Sequence, residues 1–238
     1  MLALAGVAAA CAPPPGANEI HETCKDVQDA ALADTGKNPS NGTYTLYFEG
    51  DETKPWEAYC DGMNRASPRE YITVDSADNY SQISDAHVFF QTSYRRIRID
   101  PDQLELILDD DAFATNGGDL DASAWITSSG LPGDSLPPAH AIRVPEPAGA
   151  PSGDRLRANA RLDLSDTAFE LDIDVEGDLC KSSDAMATDL STIELSGSLR
   201  RLTLVADNSD RTQTSTVAPE CTNLGASTTL PLRYAGDD

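Results

Sequence analysis

Residues 41–60 constrain the fold more than any other stretch of the chain. In Asn41-Gly42-Thr43-Tyr44-Thr45-Leu46-Tyr47-Phe48-Glu49-Gly50, the residues Tyr44, Leu46 and Phe48 alternate with Thr43, Thr45 and Tyr47. That period of two belongs to a half-buried strand. Asn41-Gly42 and Gly50-Asp51 supply turn chemistry at its two ends. Pro55-Trp56-Glu57-Ala58-Tyr59-Cys60 reads as the returning strand of a hairpin. It ends on a cysteine able to join Cys24, upstream of the first strand.

The remaining cysteines set the compartment. Of the five, Cys11 stands apart near the N-terminus, leaving Cys24, Cys60, Cys180 and Cys221. An even set fits two disulfides formed outside the reducing cytosol. Four cysteines allow three pairings. Their order and the hairpin favour Cys24–Cys60 and Cys180–Cys221, against the alternative of four separate buried thiols. The N-terminus agrees with export. Leu2 to Ala10 is an apolar run too short to span a bilayer, and it ends in Ala8-Ala9-Ala10 before Cys11. This pattern resembles a bacterial lipobox, in which the cysteine carries the lipid. Ordinary signal cleavage nearby is the alternative. Cys11-Ala12-Pro13-Pro14-Pro15-Gly16-Ala17-Asn18 would then be a stiff tether.

Charge narrows the partners. The 238 residues hold 17 Lys+Arg and 40 Asp+Glu, a net charge of −23. Such a balance argues against nucleic acid and against electrostatic docking on anionic lipid. The acids are dispersed among apolar residues, so the chain does not read as a disordered acidic tail.

Along the chain, Ile20 to Ala33 has helical spacing and a cap at or just before Thr23. Pro68 to Val74 reads as a strand, and Asp75 to Asp85 as polar loop. Ala86 to Asp100 is a β region in which Ile97 and Ile99 face inward and Arg96, Arg98 and Asp100 outward. Leu104 to Leu108 pairs back across a Pro101-Asp102 turn. Residues 119–155 are rich in Gly, Pro, Ser and Ala and read as a long loop or linker. Two hairpins are expected from the alternation in 161–175 and 193–205, which match at a shift of 31 residues. Residues 228–234 read as a final edge strand.

Several of these segments carry a resemblance. Cys24-Lys25-Asp26-Val27, Gly42-Thr43-Tyr44-Thr45-Leu46-Tyr47 and Ala58-Tyr59-Cys60-Asp61-Gly62-Met63 are similar to the opening of fibrinogen C-terminal domains and of GON domains. The glycine-rich continuation of fibrinogen modules is missing. Pro68 to Val74, Asn79-Tyr80-Ser81, Tyr94 to Asp100, Asp111 to Ala114 with Asn116-Gly117, and Leu162 to Phe169 resemble GON. GON domains are accessory domains at the C-terminus of secreted zinc metalloproteinases with thrombospondin repeats. The resemblance implies an extracellular accessory module and not a protease. No H-E-x-x-H is present, and His21, His87 and His140 are isolated.

No other chemistry stands out. There is no G-x-S-x-G for a serine nucleophile, and carboxylate pairs are too abundant to be informative. Asp109, Asp110, Asp111, Asp119 and Asp121 supply hard oxygen ligands for calcium, but solvated turn acids are the plainer interpretation. Arg95, Arg96 and Arg98 form the one basic patch, which either docks an anion or pairs with Asp100 and Asp102. With Trp56 and Tyr94 they make up the expected ligand contacts.

The fold expected is α+β, mostly antiparallel β with one short N-terminal helix, a disulfide-stabilised GON-like module. Its parts are a signal and Pro-rich tether over 1–18, a GON-like N-terminal part over 19–118, a Gly/Pro-rich loop or linker over 119–155, and a GON-like C-terminal β part over 156–238. The function expected is a non-catalytic, exported, surface-anchored binding or adhesion module for an extracellular protein or glycan, without a cofactor. It would touch the membrane only through Cys11, at the bacterial envelope, or be secreted. The alternatives are a secreted hydrolase or accessory subunit of a metalloprotease, separated by a pocket of converging carboxylates, and a structural envelope lipoprotein.

Overall fold

A computed structural model describes residues 20–84, 89–118, 157–172, 192–207 and 229–236. Residues 119–155, Cys11, Cys180 and Cys221, and with them Asp119, Asp121 and the expected Cys180–Cys221 bond, lie outside the described residues.

The chain opens on one helix, α1 (Cys24–Thr35). Thr23 caps it: its hydroxyl accepts from the Asp26 amide at 3.2 Å, and the Asp26 carboxylate accepts from the Thr23 amide at 2.9 Å. This reciprocal box satisfies amides that the first turn would leave open. Gly36 ends the helix at φ 67°, the left-handed conformation that suits glycine. Cys24, Val27 and Gln28 form the buried stripe. Gln28 is held there because its amide donates to the main-chain oxygens of Met63 and Arg65, at 2.6 and 2.8 Å.

The expected hairpin forms from β1 (Gly42–Tyr47) and β2 (Pro55–Asp61), antiparallel, with Leu46 opposite Trp56 and Gly42 opposite Cys60. The strands that follow are β3 (Arg69–Thr73), β4 (Tyr80–Ser84), β5 (Phe89–Tyr94), β6 (Arg96–Asp100), β7 (Glu105–Ile107) and β8 (Ala114–Gly118). The last are β9 (Arg157–Asp163), β10 (Phe169–Leu171), β11 (Thr192–Ser198), β12 (Arg201–Asp207) and β13 (Thr229–Tyr234). They make two antiparallel sheets. One has the order β1-β2-β3-β6-β7-β13-β10, the other β11-β12-β9-β4-β5-β8. Each sheet joins a block of strands from before the linker to a block from after it, at β7–β13 in the first and at β4–β9 in the second. Leu46, Trp56, Ile72, Ile97, Ile99, Leu106, Leu162, Phe169, Leu171 and Leu232 share one buried cluster.

Three expectations are corrected here. Residues 75–85 are not all loop, since β4 lies within them. β9 and β10 do not form a hairpin. They belong to different sheets, and β9 pairs instead with β4 and β12. β13 is not an edge strand. It is passed from one neighbour to the next, with Thr229–Pro231 pairing β7 and Leu232–Tyr234 pairing β10.

The β4–β9 junction of the second sheet is clamped by Asn79, which precedes β4 and is 1% exposed. Its amide donates to Asp163 O at 3.1 Å and to Asp75 O at 2.9 Å, while its oxygen accepts from the Asp163 amide at 2.8 Å. Removing this side chain leaves a buried main-chain donor and acceptor without partners. Asn79→Ala should therefore lose about 2–4 kcal/mol of stability, read from urea unfolding. A loss below about 0.5 kcal/mol would contradict the clamp.

Candidate functional site

The disulfide expected between α1 and the hairpin is present. Cys24 and Cys60 are bonded, with Cα atoms 5.5 Å apart and neither residue exposed. Glu70 of β3 sits beneath the helix start and accepts from the Cys24 amide at 2.7 Å. Burial pushes its carboxyl above the usual glutamate value, against the pull of the Cys24 amide. The folded state thus favours the proton. This group's contribution to stability is full below the ordinary glutamate pKa and is lost as pH rises through the raised value. Glu70→Gln keeps an acceptor for Cys24 and removes the titration. Its stability relative to the parent should rise in urea melts as the pH climbs above the ordinary glutamate pKa and through the raised one. A constant difference would contradict the assignment.

The five expected ligand contacts are not brought together. Tyr94 is 1% exposed and lies in the core, where burial pushes its phenol pKa up. Trp56 is 4% exposed because it points inward from β2, with Ala58 and Cys60. An aromatic patch on the open surface is therefore not what these two residues form.

The arginines are largely committed to the opposite face of the same sheet. The Arg96 guanidinium lies 3.6 Å from the Tyr59 ring centroid and 4.9 Å from that of Phe113. Arg95 stands 5.6 Å from Phe113. Phe113 meets Tyr59 and Tyr71 edge-on, at 5.4 and 4.8 Å. Arg98 pairs with Asp110 at 3.7 Å and not with Asp100 or Asp102, and Arg69 reaches the same carboxylate at 3.1 Å. Asp100 instead accepts from the amides of Asp102 and Gln103. The Tyr71 hydroxyl also donates to Asp110, and its pKa is pushed up to about 12, chiefly by burial. Segment 110–113 thus covers the sheet as an arginine–aromatic stack. Asp110, with a side chain 6% exposed, has a structural role, while Asp109 and Asp111 are exposed. No group of three metal-ligating side chains occurs among the described residues.

A different site emerges where β2 and β3 part. Their ladder runs from Asp61↔Arg69 to Tyr59↔Tyr71 and stops. Beyond it β2 continues with β1 as far as Tyr47↔Pro55, and β3 continues with β6 as far as Thr73↔Arg96. The opening is a cavity of about 520 Å³ lined by Pro55, Trp56, Glu57, Ile72, Thr73, Val74, Asp75 and residues 166–169. That volume falls in the usual range for ligand clefts, about 300–1,000 Å³.

The wall is built from both sheets' connections. Phe169 packs edge-on against Trp56, with centroids 5.1 Å apart, and Tyr234 donates to Pro55 O at 3.1 Å. The turn that brings Asp166 and Phe169 in is held by Thr167. Its hydroxyl donates to Leu164 O at 2.8 Å and accepts from the Phe169 amide at 3.2 Å. Glu57 accepts from the Thr45 hydroxyl at 2.7 Å, and Asp75 from the Ala77 amide at 2.9 Å. The cleft therefore has an aromatic and aliphatic wall, three carboxylates, and no basic lining residue. Trp56 was singled out by the sequence. Glu57, Asp75, Asp166 and Phe169 were not, because no local pattern marks them.

None of the curated proteins matches this chain. No solved structure matches it either. The family model of the GON domain matches residues 21–90, a span that holds α1, the hairpin, its disulfide and the β2 and β3 sides of the opening.

Proposed function

We propose that the chain is an exported, non-catalytic binding module of the GON type, held at the bacterial surface by a lipid on Cys11. Its binding site is the cleft between β2 and β3. The cleft carries this reading: a ligand-sized opening with an apolar wall and a charged rim, in a sheet that is otherwise continuously paired from β1 to β7. Export is supported by the GON match and the Cys24–Cys60 bond, and anchoring by the Ala8-Ala9-Ala10-Cys11 pattern. The partner class is an extracellular protein or glycan.

A second reading, a secreted hydrolase, draws on the three carboxylates of the same lining. The hydroxyl of Thr167 does not support it as a nucleophile, because it is committed to the turn. Expression of the full chain in a bacterial host tests both readings. Intact mass should show a diacylglycerol adduct that is lost in Cys11→Ser, and purified protein should leave peptide, ester and glycoside substrates intact. A mature form cut elsewhere would overturn the anchor. Turnover abolished by Asp166→Asn would overturn the non-catalytic role.

A further inference from the structure

The opening has a directionality that names its occupant. The Phe48 amide donates to Lys54 O at 3.0 Å, in line with the β1–β2 register. In an antiparallel pair, alternate residues turn both main-chain groups to the same neighbour. Trp56 and Ala58 therefore bond toward β1, and Glu57 and Tyr59 turn toward β3. On the other side, the Val74 amide donates to Arg95 O at 3.1 Å. Ile72 and Val74 thus bond toward β6, and Tyr71 and Thr73 turn toward β2. Tyr59 and Tyr71 find each other. Glu57 and Thr73, the next pair along, lie beyond the end of the ladder and present their main-chain groups to the cleft.

The side chains follow the same alternation. Trp56, Ile72 and Val74 are buried on the inner side, with Phe169 against Trp56, while the side chains of Glu57, Thr73 and Asp75 are exposed on the outer side. Asp166 is exposed on the turn opposite. An occupant thus meets main-chain donors and acceptors in strand geometry, apolar surface on one side and carboxylates on the other.

Resting on the binding-module reading, we propose that the cleft takes an extended peptide segment of a partner protein, added as a strand at Glu57 and Thr73, with alternating apolar and basic residues. Main-chain hydrogen bonds hold such a segment, and alternate side chains give specificity. The apolar residues cover Trp56, Ile72, Val74 and Phe169. The lysines or arginines stand beside Glu57, Asp75 and Asp166, in a protein whose net charge of −23 draws basic partners in.

Calorimetric titration of the full chain with acetyl-Lys-Val-Lys-Val-Lys-amide tests this. The reordered peptide acetyl-Lys-Lys-Lys-Val-Val-amide has the same charge without the alternation. The expected result is saturable one-to-one binding of the first peptide, at least tenfold tighter than the second, and weakened at least tenfold by Glu57→Gln with Asp166→Asn. Equal binding of both peptides would reduce the effect to general attraction by an acidic surface and overturn the proposal. Absence of binding would overturn it too, while leaving open a module that binds a glycan. Mass spectrometry of the peptide after incubation separates the readings: cleavage would sink the non-catalytic role and leave strand addition standing.

Discussion

Replacing Cys24 and Cys60 together by alanine should destabilise the chain by about 4 kcal/mol. The bond closes a separation of 36 residues, and the chain-entropy model assigns about that value to a loop of this size. A typical domain holds about 5–15 kcal/mol, so this single link is a large share of the total. Both residues are fully buried, so the alanines also lose sulfur packing against the core. The unfolded chain gains most of the freedom, since without the bond α1 and the hairpin separate. Urea unfolding of the double variant checks this, with the midpoint falling and the m-value rising as the unfolded state expands. A change below about 1 kcal/mol would mean that the link is dispensable, and that α1 is held by its capping, Gln28 and Glu70 alone.

Phe169→Ala should be similarly costly, about 3–5 kcal/mol, the usual range for a phenylalanine removed from a core. Phe169 is 1% exposed, meets Trp56 at 5.1 Å and Tyr234 at 6.0 Å, and pairs through β10 with Tyr234. Tyr234 in turn stacks on Phe48 at 5.4 Å and donates to Pro55 O. One ring therefore joins the β10–β13 end of the first sheet to its β1–β2 end. The substitution should also enlarge the cleft on its inner side. Thermal and urea unfolding read the first effect, and Trp56 emission, in a Trp125→Phe background, reads the second as a red shift. Phe169→Leu separates volume from ring geometry. It should recover most of the stability if packing volume dominates, and little if the edge-on contacts matter.

How much of this was legible follows from how locally each feature is encoded. The helix was readable because Thr23 caps it, and the β1–β2 hairpin because Asn41-Gly42 and the alternation around Leu46 lie within a few residues of each other. β4 and β8 were not. β4 places Ser81, fully buried, opposite Thr92, also fully buried, on β5, so the centre of its inward face carries a hydroxyl and not an apolar side chain. β8 is an exposed edge strand from Thr115 to Gly118, with no buried face to impose alternation. β13 holds Pro231, a residue that cannot donate to a ladder and is ordinarily confined to sheet edges. The structure accommodates it where β13 passes from β7 to β10: Pro231 lies opposite Glu105 and its carbonyl accepts from the Asp172 amide at 2.9 Å, a role that needs no N–H. The arginine patch was visible as composition, but its commitment to Phe113 and Asp110 depends on a segment folding back across the sheet. The cleft was the least legible feature. It arises from a ladder that stops at Tyr59↔Tyr71 and from a turn at 166–169, about a hundred residues away. Trp56 was identified for being aromatic, while its setting was set by β1 and β10.

Amide hydrogen exchange at Glu57 and Thr73 tests the opening most directly. The account predicts that both amides of the free protein exchange at least a hundredfold faster than those of Tyr59 and Tyr71, and become protected when the alternating basic peptide is added. Protection of Glu57 and Thr73 equal to that of Tyr59 and Tyr71 in the free protein would mean that β2 and β3 stay paired and that no strand-binding cleft exists.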